Sequence, residues 1–241
     1  MRKTIILLIV FTLTSLNLYA QNSSFTFPEV SNEGQFMSIG SRLNQMQVPE
    51  DVLNKMSTIE LLDICLDFPY IIDIFFYDNL QKGYENLKKE FNGYEELTKR
   101  SDVEEVILNK YGNLHKEIER VNNLSQIEQG EFSIKWFVFE MMISQDWFLN
   151  NLNQNKEKDL LATCIRNKQI KENNQHIFSS VNEIPTHLLL IKKALHDPEV
   201  YQIDEDNKKE LKEFVKRQFA LNDNIIQSVQ VFSQMNDNYE K

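Results

Sequence analysis

From Val48 onward, apolar residues recur three and four positions apart, the period of helices that bury one face. Upstream the pattern differs. Residues 22–40 mix Ser, Asn, Gly and Pro28 with a short alternation at Phe25 and Phe27, which predicts an extended arm over 21–47 laid on the surface. Pro49 suits the first position of a helix, and Glu50 and Asp51 are favoured beside its positive end, so a short helix reaches about Met56. Ser57-Thr58-Ile59-Glu60 has the spacing at which a hydroxyl and a glutamate satisfy each other's orphan amides, and it starts a helix over 58–66. Pro69 disfavours helical geometry at Phe68 and makes 67–69 a break before a helix over 70–77. Asp78 and Asn79 can cap a helix over 80–91, which Asn92-Gly93 stops, glycine taking the left-handed conformation cheaply.

A helical turn over 94–100 follows, and Ser101-Asp102-Val103-Glu104 repeats the capping spacing 44 residues after Ser57. A period of about 40 to 47 residues with paired helices is that of HEAT and armadillo arrays. Residues 114–124 read as a charged amphipathic helix. Ser133 caps a helix over 134–152 whose apolar residues cover more than one face, which places it centrally. A further helix covers 156–171, Pro185 opens one over 186–195 that Pro198 ends, and a last helix or broken pair spans 208–235. The expected fold is all-α: one domain over 48–241 of irregular stacked helical hairpins, a short HEAT/armadillo-like solenoid, with an orthogonal helical bundle as the alternative.

Composition strengthens the helical reading, because six glycines and five prolines in 241 residues leave little material for tight-turned strands. The first twenty residues change the setting. Arg2 and Lys3 precede an apolar run over 4–13, and Leu18-Tyr19-Ala20 before Gln21 fits signal-peptide cleavage, so a periplasmic or secreted mature chain is expected. No cysteine stands at that cleavage point to carry a lipid, and the run is short of the roughly 18 residues a membrane span needs. Loss of Arg2 and Lys3 moves the formal net charge from −10 to −12, unsuited to nucleic acid or to anionic lipid.

The stretch Ile59-Glu60-Leu61-Leu62-Asp63-Ile64-Cys65-Leu66-Asp67-Phe68-Pro69-Tyr70, with Tyr77 to Gly83, Phe91-Asn92-Gly93, Glu96-Leu97 and Arg100-Ser101-Asp102, resembles secreted Bacteroidetes proteins of uncharacterised function. The resemblance covers roughly residues 56–111. It implies an all-helical fold and an exported location, and it carries no catalytic residue.

Familiar catalytic spacings are missing. His115, His176, His187 and His196 form no H-E-x-x-H pair, no G-x-S-x-G elbow or glycine-rich phosphate loop occurs, and Asp204-Glu205-Asp206 runs into Lys208 and Lys209 where a calcium loop needs oxygen ligands. No cofactor is expected. Cys65 and Cys164 each lie within an apolar helical pattern and are expected as separate buried thiols rather than a disulfide. Asp63, Asp67, Asp73 and Asp78 interrupt an apolar region, either as a polar stripe with Asp78 capping or as paired carboxylates for acid and base work. Glu140 sits between Phe139 and Met141, where a buried carboxylate demands a basic partner or titrates high. Trp136 and Trp147 are core residues at helical spacing or the lining of a ligand groove. The leading expectation is a non-enzymatic exported scaffold or binding module for an unknown protein, peptide or glycan, its candidate surface including Asp73, Asp78, Glu140, Trp136 and Trp147. A hydrolase built on carboxylates among 63–78 or on Glu140, and a carrier of an apolar molecule built on 132–148, are the alternatives.

Overall fold

The structure, a computed structural model, describes residues 25–28, 39–196 and 203–218. In chain order its α-helices are α1 (Ile39–Gln45), α2 (Glu50–Leu53), α3 (Thr58–Leu66), α4 (Leu80–Glu90), α5 (Asn92–Leu97), α6 (Val103–Gly112), α7 (Leu114–Val121), α8 (Gln126–Ile143), α9 (Asp146–Leu149), α10 (Gln154–Asn173), α11 (Ile184–His196) and α12 (Glu205–Arg217). Two 3-10 segments, Ile71–Phe76 and Ser180–Glu183, interrupt them, and no strand occurs among the described residues. The chain is all-α. The signal-peptide segment, Pro198 and everything after Gln218 lie outside the described residues, as does most of the arm expected over 21–47.

Of that arm, Phe25 to Pro28 is non-helical, and its alternation has a purpose: the Phe27 ring packs edge-on against the buried Phe68 and Phe91, with centroids 5.9 and 5.4 Å away. The extended reading fails at Ile39–Gln45, which is α1.

The box at Ser57 forms as its spacing predicts, the hydroxyl accepting from the Glu60 amide and the Glu60 carboxylate accepting from the Ser57 amide. Its echo at Ser101 does not. Asp102 is the residue before α6, and its carboxylate accepts from the Thr58 hydroxyl at 2.5 Å instead of capping its own helix. The 44-residue spacing is nevertheless visible in space. Asn92 donates through Nδ2 to the Val48 carbonyl (2.8 Å) and accepts from the Val48 amide (3.1 Å). Arg100 donates to the Met56 and Leu53 carbonyls at 3.1 and 2.6 Å, adding partners to carbonyls at and just beyond the end of α2. So α2–α3 lies alongside α5–α6.

The expected helix over 70–77 is a 3-10 segment, and the reason lies in α4. A Cβ built on Gly83 would stand 2.1 Å from the Ile74 carbonyl oxygen, so this segment rests directly on the glycine's backbone. Gly93 is not the expected stop: it lies inside α5, α4 ends at Glu90, and no glycine among the described residues has positive φ. The central helix also begins earlier than expected. Ser125, not Ser133, is its cap, with Glu128 completing the box, while Ser133 bonds back to the Gly130 carbonyl at 2.9 Å within α8. The helix then breaks at Ser144 before α9 rather than continuing to residue 152.

Phe137, Phe139, Met141 and Ile143 are fully enclosed, and Trp136 nearly so, burial around more than one face that fits the central position expected of α8. The helix packs against α3, α4, α7 and α11. Cys65 and Cys164 are free and buried, the Tyr94 hydroxyl donating to the Cys65 carbonyl at 2.8 Å. Burial pushes both thiols well above their ordinary range.

Candidate functional site

Of the acids singled out from the sequence, Asp63 and Asp67 come to line one groove, each paired with its own lysine, while Asp73, Asp78 and Glu140 lie apart from it. Asp63 on α3 pairs with Lys110 of α6 at 2.7 Å, and Asp67 pairs with Lys135 of α8 at 2.6 Å. Asp78 pairs with Lys82 one helical turn on, at 3.1 Å, and Asp73 lies half-buried on the 3-10 segment. Among these, no two unengaged carboxylates share a pocket in which their pKa values could be driven apart.

Glu140 is completely enclosed, and the expected basic partner is Lys171, likewise enclosed. One carboxylate oxygen accepts from the Tyr111 hydroxyl at 2.9 Å, and the other from Lys171 Nζ at 2.5 Å and the Thr186 hydroxyl at 2.6 Å. The ammonium spends its remaining donors on the Asn182 carbonyl and Thr186 Oγ1, both at 2.9 Å. This buried network joins α6, α8, α10 and α11 and pairs its two charges with each other, while Asn167 of α10 donates to the Tyr111 carbonyl at 2.9 Å and ties α10 to α6 beside it. Burial, with Cys164 and Glu140 alongside, pushes the Tyr111 phenol far above its usual range and keeps it a donor. Next to Thr186, burial and the charges of Lys168 and Lys171 push His187 down to about 3. Sequence reading missed Lys171 and Asn167, although the signal was present: Leu160, Cys164, Asn167 and Lys171 fall four, three and four apart and form one inward stripe of α10.

Trp136 is 5% exposed, its ring stacked between Tyr111 and Phe132 with centroids 5.9 Å from each. It forms part of the wall of an open groove of about 930 Å³ between α3, α6, α7 and α8. Ile59, Leu66, Val106, Leu124 and Phe132 supply the apolar lining, of which Ile59 is exposed, Val106, Leu124 and Phe132 are half-buried and Leu66 is buried. The polar lining includes the ion pairs Asp63–Lys110 and Asp67–Lys135, together with Arg120, which pairs with Glu117 at 2.8 Å. Glu128 and Glu131, on the first turns of α8, complete it.

Trp147 belongs elsewhere, to a shallower recess beside Gln81, Lys88, Gln145 and Lys192. Asp73, Asp78 and Glu140 line neither recess. Of the five residues expected on a ligand or partner surface, only Trp136 is part of the groove, and it is buried there. Asp63 and Asp67 are in it, but as halves of salt bridges.

Among the described residues no three His, Cys, Asp or Glu side chains gather as a metal site requires, and no helix is long and apolar enough to cross a membrane. Comparison of the chain with protein-family models, with curated proteins and with solved structures finds no match to any of them.

Proposed function

We propose that the protein is an exported, non-enzymatic helical binding module, and that its partner seats in the groove between α3, α6, α7 and α8. One observation carries this reading: an exposed Ile59 and the half-buried Val106, Leu124 and Phe132 gather in a concavity rimmed by ion pairs, the anatomy of a recognition surface with an apolar centre and a polar edge. The acids that motivated a hydrolase are held one by one by Lys110, Lys135, Lys82 and Lys171, so none is offered to a substrate in concert with another. The rings of 132–148 that motivated an apolar carrier are spent on packing, Trp136 against Tyr111, Phe132 and Phe139. A protein or peptide partner is favoured over a glycan, because the flat faces of Trp136 are covered by its neighbours and offer no plate for a sugar ring.

The experiment is capture of proteins from the extracytoplasmic fraction by wild-type protein and by the double variant Ile59→Asn/Val106→Asn, with helicity and melting temperature checked to be equal. Loss of specific captured partners in the double variant supports the reading. An identical captured set from both proteins overturns it. Export is tested by Edman sequencing of protein recovered from its native compartment, with Gln21 expected as the first residue and Met1 the result that refutes it.

A further inference from the structure

We infer that the occupant of the groove is a cationic amphipathic helix of two to three turns, presented by another exported protein; the inference rests on the groove being the binding surface. Three properties lead to it. The first is charge. The lining holds five acids, Asp63, Asp67, Glu117, Glu128 and Glu131, against three bases, and Lys110, Lys135 and Arg120 pair with Asp63, Asp67 and Glu117, so the excess of two negative charges falls on the α8 wall at Glu128 and Glu131. Glu128 is oriented by the Ser125 amide and hydroxyl at 2.9 and 2.6 Å, and Glu131 stands exposed one turn further on. A partner carrying Lys or Arg along one edge complements that wall.

Backbone chemistry supplies the second property. The walls are helices whose amides and carbonyls are used internally, and the described residues contain no strand edge that an extended peptide could join. An incoming chain must therefore satisfy its own backbone, which a helix does, laying apolar side chains at i, i+3, i+4 and i+7 onto Ile59, Val106 and Phe132. The third is length: the α8 wall runs from Glu128 to Trp136, about 12 Å at ~1.5 Å per residue, or just over two helical turns, and Leu124 ahead of the helix cap extends the groove beyond it.

Charge also decides against the two occupants this chain could supply itself. A second copy of the mature chain carries the same formal net charge of −12, and the segment after Gln218 holds Asp223, Asp237 and Glu240 against Lys241 alone.

The test is fluorescence anisotropy of labelled model peptides with the full mature chain. A Leu/Lys peptide of about three turns, with its leucines on one helical face, is compared with the same composition reordered to destroy that face and with a Leu/Glu counterpart. Binding of the first alone, weakened roughly fivefold or more by Glu131→Lys and by added salt, and lost in Ile59→Asn, supports the inference. Equal binding of the reordered peptide, or indifference to both substitutions, overturns it. If the Leu/Lys peptide does not bind while partner capture still depends on Ile59 and Val106, the helix assignment fails and the groove stands. If truncation after Gln218 raises peptide affinity, the chain's own end is the occupant and the inference is overturned.

Discussion

Lys171 and Glu140 are each enclosed completely, and a buried ion pair of this kind is held as much by what its members would suffer alone as by their mutual attraction. Lys171→Met leaves the Glu140 carboxylate with the Tyr111 and Thr186 hydroxyls and no cation, an expected loss of about 3–5 kcal/mol in urea unfolding. Adding Glu140→Leu should restore most of that loss, because an apolar pair of similar volume needs no compensation; a double variant no better than the single would show that the charges stabilise in their own right. His187 offers a second test through pH. Its native pKa, near 3, lies below that of an unfolded histidine, so the unfolded chain binds the extra proton. Stability should therefore be intact above about pH 6.5 and fall on acidification toward about 3, by up to ~1.4 kcal/mol per unit, while His187→Leu removes that part of the slope. An unchanged slope in the variant would assign the acid sensitivity to the carboxylates.

Helix starts show what local sequence specifies and where it misleads. Ser125 has both halves of a capping box, so Ser125→Ala should cost about 1 kcal/mol, whereas Ser133→Ala, which removes only a bond back to the Gly130 carbonyl, should cost clearly less in the same urea titration. The reverse order would place the start of α8 at Ser133. The spacing at Ser125-Gln126-Ile127-Glu128 is as plain in the sequence as that at Ser57; the aromatic run after Ser133 drew the boundary downstream of it. Where one helix's own residues decide the outcome, as at Ser57 and at Asn79, whose side chain accepts from the Lys82 amide, the element was legible. It was not legible where a neighbour decides. Asp102 gives its carboxylate to Thr58, and the backbone resting on Gly83 holds Ile71–Phe76 as a 3-10 segment, contacts that no local pattern contains. The groove was hidden for the same reason: its lining comes from four helices, and only the packing reveals that Ile59 is left exposed while Trp136 is covered.

At the scale of the molecule the choice lies between an array, in which each helix pair touches only its neighbours, and a core organised around one helix. The seam between α2–α3 and α5–α6, with Asn92 on Val48 and Arg100 on Leu53 and Met56, has the offset of a repeat. Yet α8 touches α3 and α4 from the first half of the chain and α11 from the second, a long-range bridge that nearest-neighbour stacking does not supply. Asn92→Ala separates the two architectures. It leaves the part-buried Val48 amide and carbonyl without their partner, an expected loss of about 1–3 kcal/mol. If α8 couples the halves, native-state hydrogen exchange should show the same loss of protection at the most protected amides of α3 and of α11, because both open only in global unfolding. A loss confined to α2–α6, with α11 protected as before, would mark the seam as the joint of a modular array.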